Sequence, residues 1–253
     1  MSFPCIEVNR VSKSFSVVKI RQTVMRTLKA LLGGERLIRE HWVLRDITFD
    51  IRSGEKWAVI GQNGAGKTTL LRLLAGIFEP TSGTVITRGR VSALFSIWAC
   101  LNAELSLIDN IYFFGALHGM DRRTFQGKID GILELSGLYP FRFTPLKAMS
   151  VGQQQRLALS VFFSSCGDIN IFDEAMANID PGFVQKCELF FDELARSDKT
   201  VIMTSHDHSF LRRFCRQAFW LQDGRIRMRG DVNDVIEAYE MYLESRDSVG
   251  LTA

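Results

Sequence analysis

The residues Gly61-Gln62-Asn63-Gly64-Ala65-Gly66-Lys67-Thr68 follow the pattern G-x-x-x-x-G-K-[ST], and the chemistry of that pattern is phosphate binding. Glycines let consecutive main-chain N–H groups turn toward anionic oxygens, Lys67 supplies a point charge, and Thr68 offers a hydroxyl to Mg2+. The apolar run Trp57-Ala58-Val59-Ile60 enters the loop, and Leu70, Leu71, Leu73 and Leu74 leave it at helical spacing. A helix beginning near Gly66 would aim the positive end of its dipole at the phosphates. A second group with chemical potential closes the run Ile169-Asn170-Ile171-Phe172, which ends in Asp173-Glu174. Two carboxylates then stand at the C-terminal end of a predicted core strand, where open α/β sheets bind ligands. Asp173 is expected to share a magnesium shell with Thr68. Glu174 is expected to polarise a water for attack on the terminal phosphorus, since phosphoryl transfer needs mainly positioning and charge stabilisation. The rival reading, a solvated acidic pair, loses weight beside a phosphate loop. Asn170 is polar inside a buried strand and therefore requires a hydrogen-bond partner. In a third group, Met149-Ser150-Val151-Gly152-Gln153 leads into a helix predicted from about Gln154 to Phe163. There the Ser150 hydroxyl and Gly152 amide crown a helix N-terminus as a second anion site, although an ordinary serine N-cap explains Ser150 equally well.

These groups need a scaffold, and 253 residues suffice for a full core or a core plus a small subdomain. With 23% charged residues and a net charge of +3, the chain gives no argument for a nucleic-acid groove, and none is expected. Cys5, Cys100, Cys166, Cys187 and Cys215 include no C-x-x-C pair and read as reduced thiols of an intracellular protein. No segment approaches the ~18 apolar residues of a membrane span, and no export signal is read at the N-terminus. Residues 6 to 15 and 43 to 51 alternate as strands. Between them, Val17, Ile20, Val24, Leu28, Leu31 and Leu32 recur at helical spacing while Lys19, Arg21, Arg26 and Lys29 take other faces. The pattern from Val17 to Leu32 reads either as a surface helix packed on the core or as a basic amphipathic helix meeting anionic lipid. Residues 84 to 86 and 90 to 95 follow as strands, and helical periodicity returns at 111 to 117 and 125 to 135. Apolar runs at 169 to 172, 200 to 204 and 218 to 221, separated by helical stretches, predict a parallel sheet. Val232 to Leu243 reads as a closing amphipathic helix.

The order of these motifs resembles that of an ATP-binding cassette nucleotide-binding domain over nearly the whole chain. M-S-V-G-Q is close to the signature L-S-G-G-Q, Asp173-Glu174 follows, then Ala177-Asn178-Ile179-Asp180, then His206 within Thr-Ser-His-Asp. The resemblance implies an α/β fold: a P-loop NTPase core with a parallel sheet, an antiparallel β subdomain and a helical subdomain. Residues 1–92 and 167–253 would form the core with its β subdomain, and 93–166 the helical part. It implies ATP and Mg2+ as ligands, with Gly61, Asn63, Gly64, Ala65, Gly66, Lys67, Thr68 and Thr69 around the phosphates. Thr68 and Asp173 would hold the metal, and Lys67, Glu174 and His206 would serve catalysis. Ser150, Gly152 and Gln153 would approach the terminal phosphate held by an opposite subunit, with Asp180 bridging the two sites of a homodimer. Phe15 matches the family's adenine-stacking position, and Trp42 is the second candidate.

Gly89 to Phe95, Glu104-Leu105, Asp109 to Tyr112, Gly115 to Leu117 and Gly119-Met120, with the long insertion between the first strands, are similar to the ATPase subunits of O-antigen and capsule-type polysaccharide exporters. That likeness implies a separate integral membrane permease and a place at the cytoplasmic face of a bacterial inner membrane. Two departures stand out. No Gln occurs between Val91 and Asn110, where most cassettes carry one that meets magnesium and the permease, and Ser96 aligns there. A C-terminal carbohydrate-binding extension is not expected. A cassette for a small solute or drug, and an ATP-gated adaptor with little hydrolysis, are the competing readings.

Overall fold

The computed structural model describes residues 4–18, 38–95, 101–117, 122–174, 179 and 181–250. Two long strands open the chain, β1 (Pro4–Val18) and β2 (Ile38–Arg52), longer at both ends than the alternation predicts. They pair antiparallel, and β4 (Ser82–Thr87) joins the free edge of β1 to complete a three-stranded sheet in the order β2-β1-β4. Period-two alternation puts Ile6, Val8, Leu44, Ile47, Phe49 and Ile51 on its buried face. The register slips at Val8/Val11, beside Arg10 with φ 47°, as a bulge would make it. Val17 and Val18 end β1 rather than beginning a helix, and the rest of the basic stretch, residues 19–32, lies outside the described residues.

The second sheet holds six strands in the order β5-β6-β7-β3-β8-β9, where β3 is Lys56–Ile60, β5 Val91–Leu94, β6 Ile169–Asp173, β7 Thr200–Thr204, β8 Gln217–Gln222 and β9 Arg225–Asp231. All pairs are parallel except β8 with β9, which a hairpin at Asp223 and Gly224 turns back. The predicted parallel sheet thus carries one antiparallel edge. Its central strands are covered on both faces, so they read as continuous apolar runs. Trp57, Val59, Ile171, Ile202 and Phe219 face the antiparallel sheet and helix α1 (Lys67–Leu74). Ala58, Ile60, Phe172, Val201, Met203 and Trp220 face the remaining helices. Trp57 stacks on Phe219 with centroids 4.2 Å apart and 13° between planes, an aromatic contact worth about 0.5–1.5 kcal/mol beyond its buried area.

The helices are α2 (Leu107–Leu117), α3 (Arg122–Gln126), α4 (Ile129–Ser136), α5 (Val151–Phe163), α6 (Pro181–Arg196), α7 (His208–Phe214) and α8 (Val232–Gly250). The periodicity predicted from 125 to 135 divides into α3 and α4, and the closing helix runs seven residues beyond Leu243. Gly115 lets α2 approach α3, since a Cβ there would lie 2.7 Å from the Phe125 ring. Asn110 is fully buried, and its amide donates to the carbonyls of Asn102, Leu105 and Ser106 at 2.9, 3.1 and 3.0 Å, holding the turn before α2. Asn170 resolves its own polarity in the same way. Its Oδ1 accepts from Gly167 N–H at 3.0 Å and its Nδ2 donates to Gly167 O at 3.2 Å, so the buried amide needs no ligand.

Candidate nucleotide site

The loop between β3 and α1 reverses tightly because Gly61 and Gly66 combine positive φ with no room for a Cβ. Gly61 has φ 147°, and a Cβ there would lie 2.3 Å from Leu221 O. Gly66 has φ 103°, and its Cβ would lie 2.8 Å from Leu44 Cδ2. The loop therefore wedges between β8 and β2. Lys67 begins α1, and its Nζ donates to Gly61 O at 2.6 Å and Gln62 O at 3.2 Å. Burial pushes the Lys67 ammonium below its ordinary value, and Glu174 and Asp173 pull it partly back.

One turn of helix places Thr68 beside the end of β6. Thr68 Oγ1 donates to Asp173 Oδ2 at 2.7 Å, and Thr204 Oγ1, at the end of β7, donates to Asp173 Oδ1 at 2.6 Å. Both carboxylate oxygens are thus oriented, and a hydroxyl and a carboxylate converge as the hard oxygen donors that suit Mg2+. Glu174 follows at φ 53°, a left-handed conformation that costs a non-glycine residue about 1–3 kcal/mol. Its N–H is held by Thr204 O at 3.2 Å and Thr204 Oγ1 at 3.0 Å, which offsets that cost. The turn throws the Glu174 side chain toward His206, whose Nε2 lies 3.0 Å from Glu174 Oε1. Thr204 was not singled out in the sequence, although its place at the end of an apolar run beside Ser205 and His206 was the available signal.

A cleft of about 310 Å3 runs along the loop, lined by Asn63, Gly64, Gly66, Lys67, Thr68 and Thr69, with Glu174, His41, Val43 and Gln62 completing it. Gly61 and Ala65 support the loop from behind, Ala65 being buried. Phe15 is not among the lining residues. Its ring meets Phe78 edge-on at 5.5 Å, with Lys13 Nζ 5.1 Å above it. Its cross-strand partner His41 lines the cleft instead, and Trp42 lines a neighbouring one of about 490 Å3 with His41, Val43 and Arg45. The sequence carried no signal for His41, because its pairing with Phe15 spans the insertion between β1 and β2.

Ser150 lies elsewhere. It is the N-cap of α5, with Ser150 N donating to Gln153 Oε1 at 2.9 Å and Gln153 N to Ser150 Oγ at 3.3 Å, a reciprocal capping box. The helix starts at Val151, three residues before the predicted point, and Val151 is 67% exposed. None of Ser150, Gly152 and Gln153 lines the cleft. Asp180 and Ser96 fall outside the described residues.

Comparisons with known proteins identify the family. The ABC transporter family matches residues 44–177. The chain is 33% identical to the O-antigen export system ATP-binding protein RfbB of Klebsiella pneumoniae, across 94% of this chain and 98% of that protein. It is 31% identical to the teichoic acids export ATP-binding protein TagH of Bacillus anthracis over 83% of this chain, which spans 38% of that longer protein. Among solved structures, the dimeric structure of a post-hydrolysis state of the ATP-binding cassette MJ0796 bound to ADP and Pi superposes with a TM-score of 0.70 at 20% identity, covering 90% of this chain and 98% of that one. The match over more than half the sequence, and the near-complete overlap with RfbB at that identity, establish that the chain belongs to the ABC transporter family as an ATPase cassette.

Proposed function

We propose that this cassette works as a dimer and powers the export of a lipid-linked polysaccharide of the O-antigen or capsule class through a separate membrane permease. The observation that carries the cargo is the RfbB match, which extends over 98% of a protein named for O-antigen export. TagH, named for teichoic acid export, supports a cell-envelope polymer as the cargo. Among the described residues no helix is long and apolar enough to cross a membrane; the separate permease rests on the likeness to a protein named as the ATP-binding part of an export system. We place the cassette at the cytoplasmic face of a bacterial inner membrane, with anionic lipid contacted through residues 17–32, of which Val17 and Val18 end β1.

In this reading Gly61, Asn63, Gly64, Ala65, Gly66 and Thr69 hold the phosphates of ATP by main-chain and hydroxyl donors, and Lys67 neutralises their charge. Thr68 and Asp173 fit Mg2+, which when bound would screen the phosphate oxygens. Glu174 accepts a proton from the attacking water, and His206, whose Nε2 lies 3.0 Å from Glu174 Oε1, fixes the carboxylate. Ser150, Gly152, Gln153 and Asp180 would complete the site from a second copy. The dimer is favoured because the capping box of α5 lines no part of the cleft in its own chain. Phe15 would turn from Phe78 to stack on adenine.

Purification of the tagged chain from detergent-solubilised membranes tests the cargo. Recovery of a polysaccharide-export permease, with MgATP hydrolysis by the complex, is expected. Recovery of a permease for small solutes or drugs would overturn it.

A further inference from the structure

His206 stands one residue before Asp207, the N-cap of α7, whose Oδ1 accepts from Phe210 N–H at 3.0 Å. A two-turn helix of this kind has little stability of its own, so its position must be set by what grips it. The grip comes from α8. Glu240 Oε1 lies 2.8 Å from His208 Nδ1, and Glu240 Oε2 accepts from Arg212 Nη2 at 2.9 Å. His208 and Arg212 are one turn apart on the same face of α7, so a single carboxylate spans the helix. The His208 ring also meets Tyr239 edge-on at 5.8 Å.

The same helix also reaches the phosphate loop. Arg246 Nη1 donates to Gln62 Oε1 at 3.3 Å, and the Gln62 carbonyl is one of the two that accept from Lys67 Nζ. Between these contacts Tyr242 packs on Trp220 with centroids 5.2 Å apart, and its hydroxyl accepts from Gln222 Nε2 at 3.0 Å. Val235 and Ile236 are fully buried and Tyr239 nearly so. The helix cannot slide to relieve one contact without exposing apolar surface, so α7 and the phosphate loop are both referred to one packed element.

We propose that α8 is a strap joining α7 to the phosphate loop, in which Glu240 positions the His206 turn through α7 and Arg246 positions the phosphate loop through Gln62. This rests on reading the Gly61–Thr68 cleft as the ATP site. Glu240 and Arg246 touch no reacting atom and act as positioning residues. Because the two ends serve different steps, their loss separates kinetically. Gln62 belongs to the loop that grips phosphate before and during reaction, so Arg246→Ala raises KM for ATP with kcat retained. His206 acts on the reacting groups, so Glu240→Ala lowers kcat with KM retained.

Amide hydrogen exchange and steady-state MgATP hydrolysis on the full chain, bound to its permease for the kinetics, test the strap. Exchange should accelerate at residues 205–208 in Glu240→Ala and at 61–66 in Arg246→Ala, with wild-type exchange in β6 and β7 as the check on folding. The kinetic effects should each be roughly three- to thirtyfold, the usual span for remote coupling. Arg246→Lys should recover part of the loss. In a His206→Ala background, Glu240→Ala should add nothing further. Unchanged exchange in both loops, or an undiminished Glu240→Ala effect without His206, overturns the proposal. If the wild-type chain neither binds nor hydrolyses MgATP, the nucleotide reading falls, while the exchange result, measured without nucleotide, still decides the strap.

Discussion

Thr68 and Asp173 lie 105 positions apart in sequence and meet through a hydrogen bond of 2.7 Å, while the other oxygen of the same carboxylate is held by Thr204. Thr204 does more than orient Asp173, because its hydroxyl also accepts the Glu174 N–H. Thr204→Val keeps the volume but leaves one carboxylate oxygen and one strained amide without that partner. It should destabilise the fold by about 1–3 kcal/mol in urea unfolding. It should also lower MgATP hydrolysis at least tenfold, whereas Thr204→Ser should preserve most of both.

Glu174 and His206 form a pair that is partly open to solvent. Glu174→Gln keeps a hydrogen-bonding group near His206 and removes the base. With MgATP it should trap a dimer, read as an earlier elution on size exclusion, and hydrolysis should fall by roughly two to four orders of magnitude. Strictly monomeric elution at millimolar MgATP would count against a shared site.

Lys67 makes nucleotide binding depend on pH. Burial depresses its ammonium below the ordinary value of 10.5, and bound polyphosphate would raise it again. Between the free and bound values, binding takes up a proton, so affinity for MgATP is greatest below the free protein's value and declines as pH rises through it. Calorimetry in buffers of differing ionisation enthalpy should detect this uptake at alkaline pH, and Lys67→Arg, which stays charged, should abolish it. For folding without nucleotide the sign is opposite. The unfolded chain holds the proton to higher pH, so this residue's contribution to stability rises from the depressed value toward 10.5.

Gly66 sits at φ 103° with Leu44 pressed against its missing side chain. Gly66→Ala combines backbone strain with a clash at a buried leucine and should destabilise the protein by about 1–3 kcal/mol, measured as a lowered denaturation midpoint. Gly64→Ala, at φ 81° with open space around it, should cost less stability, so the pair separates crowding from backbone strain.

The chemistry-bearing stretches were legible because each is local. Apolar runs of four or five residues ending in a loop, a carboxylate pair or a histidine mark strands whose tips meet, and β3, β6 and β7 fall where those runs stand. Element ends were less legible. The first two strands extend beyond their alternating cores, since main-chain pairing continues where side chains no longer alternate. The division of α3 from α4 was hidden because Phe125, Ile129, Ile132 and Leu133 keep one buried stripe across the break at Gly127 and Lys128. Contacts made by long-range pairing were least legible. His41 enters the cleft by strand register with Phe15, and Thr204 joins Asp173 to Glu174, neither of which a linear motif encodes.

Asp173 and Thr204 are facing partners in the β6–β7 ladder, the last rung after Phe172 beside Met203. A slip of one residue in either strand would exchange its side chains between the two packed layers, forcing Phe172 or Met203 into space shaped for its neighbour, and would separate the carboxylate from its hydroxyl in the same stroke. Correct folding and correct chemistry are therefore one event for this pair. A chain that has sealed its hydrophobic layers has already aligned its acid, and no later adjustment has to find it.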